Sequence, residues 1–366
     1  MSDVLSLPKT PEGAVDLLSM MPAELEAFVL SLGEPRYRAE QLFVWMQRGA
    51  EFSEMNNLPK AFREKIAAAA EYRLPKIEQK FVSAKDGTVK YLFALPDGEC
   101  VESVFMRYEH GNTICVSSQA GCRMGCRFCA STLTGRVRNL CASEILGQVI
   151  VASRDTGERI GGVVMMGIGE PLDNYDNAVR FLHLVSEPRG LGIGLRHISV
   201  SSCGLADGIR RLAGEDLPVT LSLSLHATTD EKRSALMPVN KRYPLREVLG
   251  ACRYYFEKTG RRVSFEYTLI AGENDTVAEA EALAKLLRRE VGSVLHVNLI
   301  MLNEVRETGL KTSPRKNAEA FRDTLVRLGV TATIRRRLGS DIDASCGQLR
   351  LRRLEAAGEA GERGKS

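Results

Sequence analysis

The chain has 366 residues, 44% of them apolar and 26% charged, an ordinary globular composition that excludes a disordered, collagen-like or membrane-embedded protein. At about 150 residues per domain, the length predicts one large α/β unit with a smaller module appended. A net charge of +4 permits a nucleic-acid partner without demanding one, and uncharged stretches such as Leu217 to Thr229 fall well short of the roughly 18–20 apolar residues that span a bilayer, so no membrane association is expected.

The N-terminal MSDVLSLPKTPEGAVDLL carries acids and prolines where a secretory peptide has a basic start and an apolar run, which predicts a cytoplasmic protein. From Pro22 to about Leu74 the pattern is helical, with PAELEAFVLSLG, EPRYRAEQLFVWMQRG and LPKAFREKIAAAAEYRL each opening near a proline and Gly33 and Gly49 closing the first two. Residues 77 to 118 switch to strand-like runs interrupted by Asp86-Gly87 and Asp97-Gly98, both hairpin signals. Beyond Ser143, strand patterns such as GGVVMMG, HISVSS, PVTLSLSLH and RVSFEYTLI alternate with helical ones, which implies parallel strands in an open sheet or a complete or partial barrel. The expected divisions are a helical module over 1–75, a β-meander over 76–110, an alternating core over 111–353 and a polar, frayed tail over 354–366.

Nine cysteines in a reducing compartment read as metal ligands or catalysts before disulfides, and three of them, Cys122, Cys126 and Cys129, crowd into eight residues as C-x3-C-x2-C. Structural zinc takes four closed protein ligands, whereas three thiolates on a four-iron cluster leave one iron open for an exogenous ligand. Cys100, Cys141, Cys203 and Cys252 have no such spacing and read as packed thiols. After the strand GGVVMMG comes Gly167-Ile-Gly-Glu-Pro171, where the glycines allow close backbone approach and a strand-end carboxylate can receive an ammonium group.

The segments AGCRMGCRFCASTLTGRVRNL, MMGIGEPLDNYDN, LSLHATTDEKRSALMPVN, TGRRVSFEYTLIAGENDT and SDIDASCGQLR resemble the RlmN/Cfr family of radical S-adenosylmethionine RNA methyltransferases, with similarity running to about Arg353. The resemblance implies a partial (β/α) barrel core and a 4Fe-4S cluster on Cys122, Cys126 and Cys129, whose open iron chelates S-adenosylmethionine. It further implies cofactor contacts from Gly169, Glu170, Ser201, Ser224, Leu225, His226 and Asn303, with Ser202 as an alternative to Ser201. In the family scheme two S-adenosylmethionine molecules are used per turnover. One methylates Cys346; the second is reductively cleaved, and the resulting radical takes hydrogen from the S-methyl group, whose carbon adds to adenine. Glu102 matches the proton acceptor, and Cys115 the resolving cysteine that leaves a transient Cys115–Cys346 disulfide.

The resemblance implies that the helical module aids RNA binding and that the partners are 23S rRNA, in its peptidyl-transferase region, and tRNA, at the adenosine 3′ of certain anticodons. An electron donor such as flavodoxin with its reductase is implied, and no stable protein partner. Arg123, Arg127, Arg136 and Arg138 occur without an acid between Gly121 and Asn139, and Arg335, Arg336, Arg337, Arg350, Arg352 and Arg353 flank Cys346, which predicts a basic rim for phosphate contacts. Two alternatives stand beside adenine C2 methylation: C8 methylation by the same machinery, as in Cfr-type relatives, and a non-catalytic zinc-dependent RNA-binding protein. A methylthiotransferase is discounted, because its additional cluster has no second group of cysteines to hold it.

Overall fold

Ten strands join in one sheet in the computed structural model, which describes residues 7–109, 111–292, 296–303, 308–342 and 347–356. Cys346 lies outside the described residues, as does most of the tail expected to fray.

Three helices come first: α1 (Pro22–Ser31), α2 (Tyr37–Gln47) and α3 (Lys60–Ala69). Pro22 opens α1 where its missing N–H costs nothing, and the Glu24 carboxylate accepts the Met21 N–H at 2.7 Å. Gly33 and Gly49 end the first two helices at positive φ. Leu25, Phe28, Leu42, Phe43, Met46, Phe62 and Ile66 are buried in a core that runs without a break into the rest of the chain.

The next strands are β1 (Lys76–Val82), β2 (Val89–Ala94), β3 (Cys100–Tyr108) and β4 (Gly111–Cys115). They form an antiparallel meander whose Asp86-Gly87 and Asp97-Gly98 turns use glycine at positive φ, as expected from the sequence. The meander is an integral edge of the main sheet, since β4 pairs in parallel with β7 (Ile160–Met165). Parallel strands β8 (Ile198–Ser202), β9 (Thr220–Ser224), β10 (Val263–Leu269), β11 (His296–Met301) and β12 (Thr331–Ile334) follow in spatial order. Between them run α5 (Tyr175–Ser186), α6 (Ala206–Leu212), α7 (Asp230–Leu236), α8 (Leu245–Thr259), α9 (Val277–Glu290) and α10 (Arg315–Arg327). Except for the short α7, which buries only Arg233 and Leu236, each buries an apolar stripe, as α9 does with Ala280, Leu283, Ala284 and Leu287.

The sheet curls. Laid flat, β2 and β12 would stand about 40 Å apart at ~4.8 Å per strand spacing. Yet the Gly339 N–H donates to Asp86 at 2.9 Å, and the Ser83 hydroxyl and Ala84 N–H donate to Asp341 at 2.6 and 2.9 Å. The few residues between β12 and Gly339 span at most about 17 Å. Only a sheet rolled into a barrel, left open between β1 and β12, allows that contact, so the core is the partial barrel expected.

Three further elements escaped the sequence reading: a hairpin of β5 (Gln119–Gly121) with β6 (Arg136–Asn139), the helix α4 (Ala142–Thr156), and the C-terminal helix α11 (Gln348–Ala356). Every residue of α4 from Ala142 to Ile150 is buried, which erases the amphipathic period that reveals a surface helix. No helix among the described residues is long and apolar enough to cross a membrane.

Candidate active site

The cysteine loop hangs from the β5–β6 hairpin. Gly121 has φ +77°, and a Cβ there would fall 1.9 Å from the Gly135 carbonyl oxygen, so only glycine starts this loop. The Cys122 N–H donates to Gly135 O at 3.0 Å and the Arg127 N–H to Leu236 O at 2.9 Å, tying the loop to its hairpin and to the end of α7. All three thiols line one cavity at the C-terminal ends of the barrel strands, amid an apolar shell of Met124, Phe128, Leu236, Met237 and Ile270. Burial pushes the Cys122 thiol up to about 12 and raises Cys126 well above its usual range, and the neighbouring thiols add to both. Cationic iron compensates such desolvation and draws thiolate from the loop. Three thiols lining one cavity fit a cluster, where each sulfur takes its own iron.

The glycine–glutamate turn faces that loop. Cβ atoms at Gly167 and Gly169 would fall 2.6 Å from Val116 O and from Gln119 Cβ respectively, and Gly169 adopts φ +107°. The turn is therefore pressed against the segment after β4, and Glu170 is delivered into the cavity. Its carboxylate accepts the Cys203 N–H at 2.7 Å and the Leu172 N–H at 3.1 Å, while burial raises its pKa. Cys203, read from sequence as a packed thiol, lines the same cavity.

Strand alternation sorts the remaining positions. Ser201 and Ser224 line the cavity, whereas Ser202 turns away, its hydroxyl accepting the Gly204 N–H at 3.0 Å. His226 also lines it, at φ +58° and 3% exposed. The Thr268 N–H donates to His226 Nδ1 at 2.9 Å, so the neutral ring carries its proton on Nε2. Burial pushes its pKa down to about 3, helped by Arg233. Leu225 points into the core, its N–H bound to Glu266 O at 3.0 Å. Asn303 lies in an adjoining cavity that shares Met166, Ile300 and Arg335 with the first. Buried acceptors without hydrogen-bond partners, Asn303 Oδ1 and Glu266 Oε2, belong to these two spaces, and sequence reasoning missed Glu266 because it sits mid-strand. Orphaned polar atoms in such a place fit a polar ligand like S-adenosylmethionine.

Cys115 ends β4, buried, and lines the second cavity with Val104, its partner across the sheet. Glu102 stands two residues before Val104 on the same face of β3 and is 1% exposed, no solvated hairpin residue. Its carboxylate lies 3.1 Å from Lys90 Nζ and accepts the N–H groups of Gly347 and Arg350 at 2.9 and 2.8 Å. The residue following Cys346 is thus held beside Glu102.

The basic rim is smaller than the sequence suggests. Arg123 and Arg136 both pair with Asp173, Arg138 with Asp97 and Glu144, Arg350 with Glu99 and Arg353 with Glu78. Apart from Glu144, six residues after Arg138, these acids come from distant parts of the chain, so a run without acids between Gly121 and Asn139 was no measure of free charge. Arg127, Arg336 and Arg337 are exposed without an acidic partner among the described residues.

A partial barrel with three thiols in a loop at its C-terminal mouth and a glycine–glutamate turn opposite defines a radical S-adenosylmethionine enzyme. Residues 116–287 match the family profile of the radical SAM superfamily, and residues 15–72 that of the ribosomal RNA large subunit methyltransferase N-terminal domain. The chain is 54% identical to the probable dual-specificity RNA methyltransferase RlmN of Pelotomaculum thermopropionicum, covering 94% of both, and 48% identical to that of Clostridium perfringens, covering 94% of this chain and 99% of the relative. A radical SAM methyltransferase from Sphaerobacter thermophilus has a similar structure, with TM-score 0.86 and 42% identity over 91% of this chain and 98% of that one. The chain belongs to the RlmN family of radical S-adenosylmethionine RNA methyltransferases.

Proposed function

We propose that this enzyme methylates C2 of adenine in 23S rRNA, in the peptidyl-transferase region, and in tRNA beside the anticodon, through a methyl group carried on Cys346. One observation above all supports the reading: Gly347, next to Cys346, is bonded to Glu102 and pressed against Ala130 and Ser131, which directly follow the third cluster thiol. That placement supports the reading, because it brings the residue after Cys346, Glu102 and the turn after Cys129 to one place.

When bound, the 4Fe-4S cluster and two S-adenosylmethionine molecules per turnover supply the methyl group and the one-electron chemistry that an electron-poor ring carbon demands. Cys122, Cys126 and Cys129 hold the cluster. Gly169, Glu170, Ser201, Ser224 and His226 hold S-adenosylmethionine, with the backbone of Leu225 and, from the adjoining cavity, Asn303 completing the pocket. Cys346 sulfur carries the carbon to adenine, forming a covalent enzyme–RNA adduct, and Glu102 accepts the C2 proton. Cys115, as thiolate, then attacks Cys346 sulfur; the carbon–sulfur bond breaks with its electron pair passing to carbon, which takes up the proton the thiol gave up, so methylated RNA leaves and a disulfide remains for cytosolic thiols to reduce. Flavodoxin or a similar carrier supplies electrons. Arg127, Arg336, Arg337 and the N-terminal helices contact the RNA, whose target base must leave its stack to reach the cavity.

The test is anaerobic reconstitution with iron and sulfide, then incubation with reductant, S-adenosylmethionine and a 23S rRNA fragment or tRNA, with product nucleosides identified by mass spectrometry. 2-Methyladenosine is expected, and 8-methyladenosine would replace the C2 assignment. Cys346→Ala should abolish transfer and Cys115→Ala should accumulate the protein–RNA adduct; normal turnover by the latter would remove its resolving role.

A further inference from the structure

Lys90 and Glu102 form an ion pair whose side chains are both wholly shielded from solvent. They are diagonal neighbours, for Lys90 on β2 is opposite Val104 and Glu102 on β3 is opposite Leu92. Removing two charges from water is expensive and often no better than an apolar pair, so stability is a weak reason for this one. The other groups on the carboxylate supply a better reason. Both oxygens are engaged with the start of α11, Oε2 accepting the Gly347 N–H at 2.9 Å and Oε1 the Arg350 N–H at 2.8 Å. Glu102 thus caps α11 from another element, where a negative charge meets the positive end of the helix.

Two neighbouring contacts show what that cap controls. Gly347 adopts φ +85°, and a Cβ there would fall 2.6 Å from Ser131 Oγ and 2.8 Å from Ser131 N, so the chain is pressed onto the turn after Cys129. Arg350 is held separately, its guanidinium donating to Glu99 at 2.9 Å, Cys100 O at 3.1 Å and Thr134 Oγ1 at 2.6 Å. The helix has an anchor of its own, while its first turn depends on Glu102.

We propose that Lys90 is a positioning residue for the start of α11: by supplying the counter-charge to the Glu102 carboxylate, it lets that carboxylate fix the Gly347 and Arg350 amides, and so holds the residue that follows Cys346 against the turn after Cys129. This rests on the role given to Cys346 above. Without the ammonium, a buried carboxylate is left uncompensated and loses its grip on the first turn.

The test uses cluster-loaded Lys90→Met, which keeps the length of the side chain without its charge. Hydrogen exchange read by mass spectrometry should quicken about tenfold or more in peptides spanning 347–350, with the parallel strands unchanged. Methylation of Cys346, followed by mass spectrometry of the protein with S-adenosylmethionine and reductant, should show kcat lowered about tenfold with KM for S-adenosylmethionine unaltered. If Lys90→Met does not fold, Lys90→Met with Glu102→Gln leaves no unpaired buried charge and should show the same local loss of protection. Wild-type protection at 347–350 in whichever variant folds overturns the proposal, as does faster exchange spread evenly over the chain. Local loss of protection in a protein whose wild type never methylates Cys346 upholds the latch and removes the role assigned to that cysteine.

Discussion

At the scale of single residues, His226 shows how an environment can remove a titration from the physiological range. With Nδ1 bonded to the Thr268 N–H and the ring fully enclosed, its pKa falls to about 3 from an ordinary 6.5. The unfolded chain takes up a proton that the folded one refuses, so the stability associated with His226 is complete above about pH 6.5. It is lost as pH falls from there toward 3, by at most about 1.4 kcal/mol per pH unit. Denaturant unfolding of the apoprotein between pH 4.5 and 6.5 should show a shallower loss for His226→Gln than for wild type, and equal slopes would place the loss in other groups. Gly169 is a second such position. Its φ of +107° and the 2.6 Å approach to Gln119 make Gly169→Ala a strained and overpacked change, expected to cost about 2–5 kcal/mol in the same assay and to weaken S-adenosylmethionine binding. The sequence motif singled out Gly169, but the neighbour that forbids a side chain, Gln119, is fifty residues away.

Among the elements, α11 and the rim arginines were least legible. α11 is held by Arg350, 2% exposed and paired with Glu99, a partner about 250 residues earlier. Arg350→Met removes the guanidinium that bonds Glu99, Cys100 O and Thr134 Oγ1, and is expected to cost about 3–5 kcal/mol and to loosen α11 enough for limited proteolysis at its start; an unchanged digestion pattern and melting temperature would show that α11 is docked by other contacts. The rim separates into arginines paired with acids and arginines without an acidic partner among the described residues, a division set mostly by acids far along the chain. Arg336→Ala with Arg337→Ala should weaken RNA binding and lower the slope of log affinity against log salt by about 2, whereas Arg138→Ala, already committed to Asp97 and Glu144, should leave that slope unchanged.

For the whole molecule, the N-terminal helices share one continuous apolar core with the barrel helices, and polar ties reinforce the seam. Ser143 on α4 donates to Asp16 at 2.6 Å, and Arg180 on α5 donates to Glu24 at 2.6 Å. A module joined in this way should unfold with the barrel. The single tryptophan, Trp45, lies in α2, so its fluorescence reports the module while far-ultraviolet circular dichroism reports the barrel as well. The two thermal transitions should coincide, and a separate early loss of the Trp45 signal would show an independently folding module.

The sequence by itself determined the order and type of most elements, the turns at Asp86-Gly87 and Asp97-Gly98 and the crowding of the three loop cysteines, because each is encoded within a few residues; the family was legible in longer matching segments spread along the chain. Tertiary structure alone decided which of Ser201 and Ser202 faces the cavity, which arginines pair with acids among the described residues, that the meander is part of the barrel sheet, and that Lys90, Glu102 and the start of α11 form one buried unit. Those outcomes depend on charges, hydrogen-bond partners and steric limits contributed by residues tens to hundreds of positions apart, and only the curled sheet brings them within reach of one another.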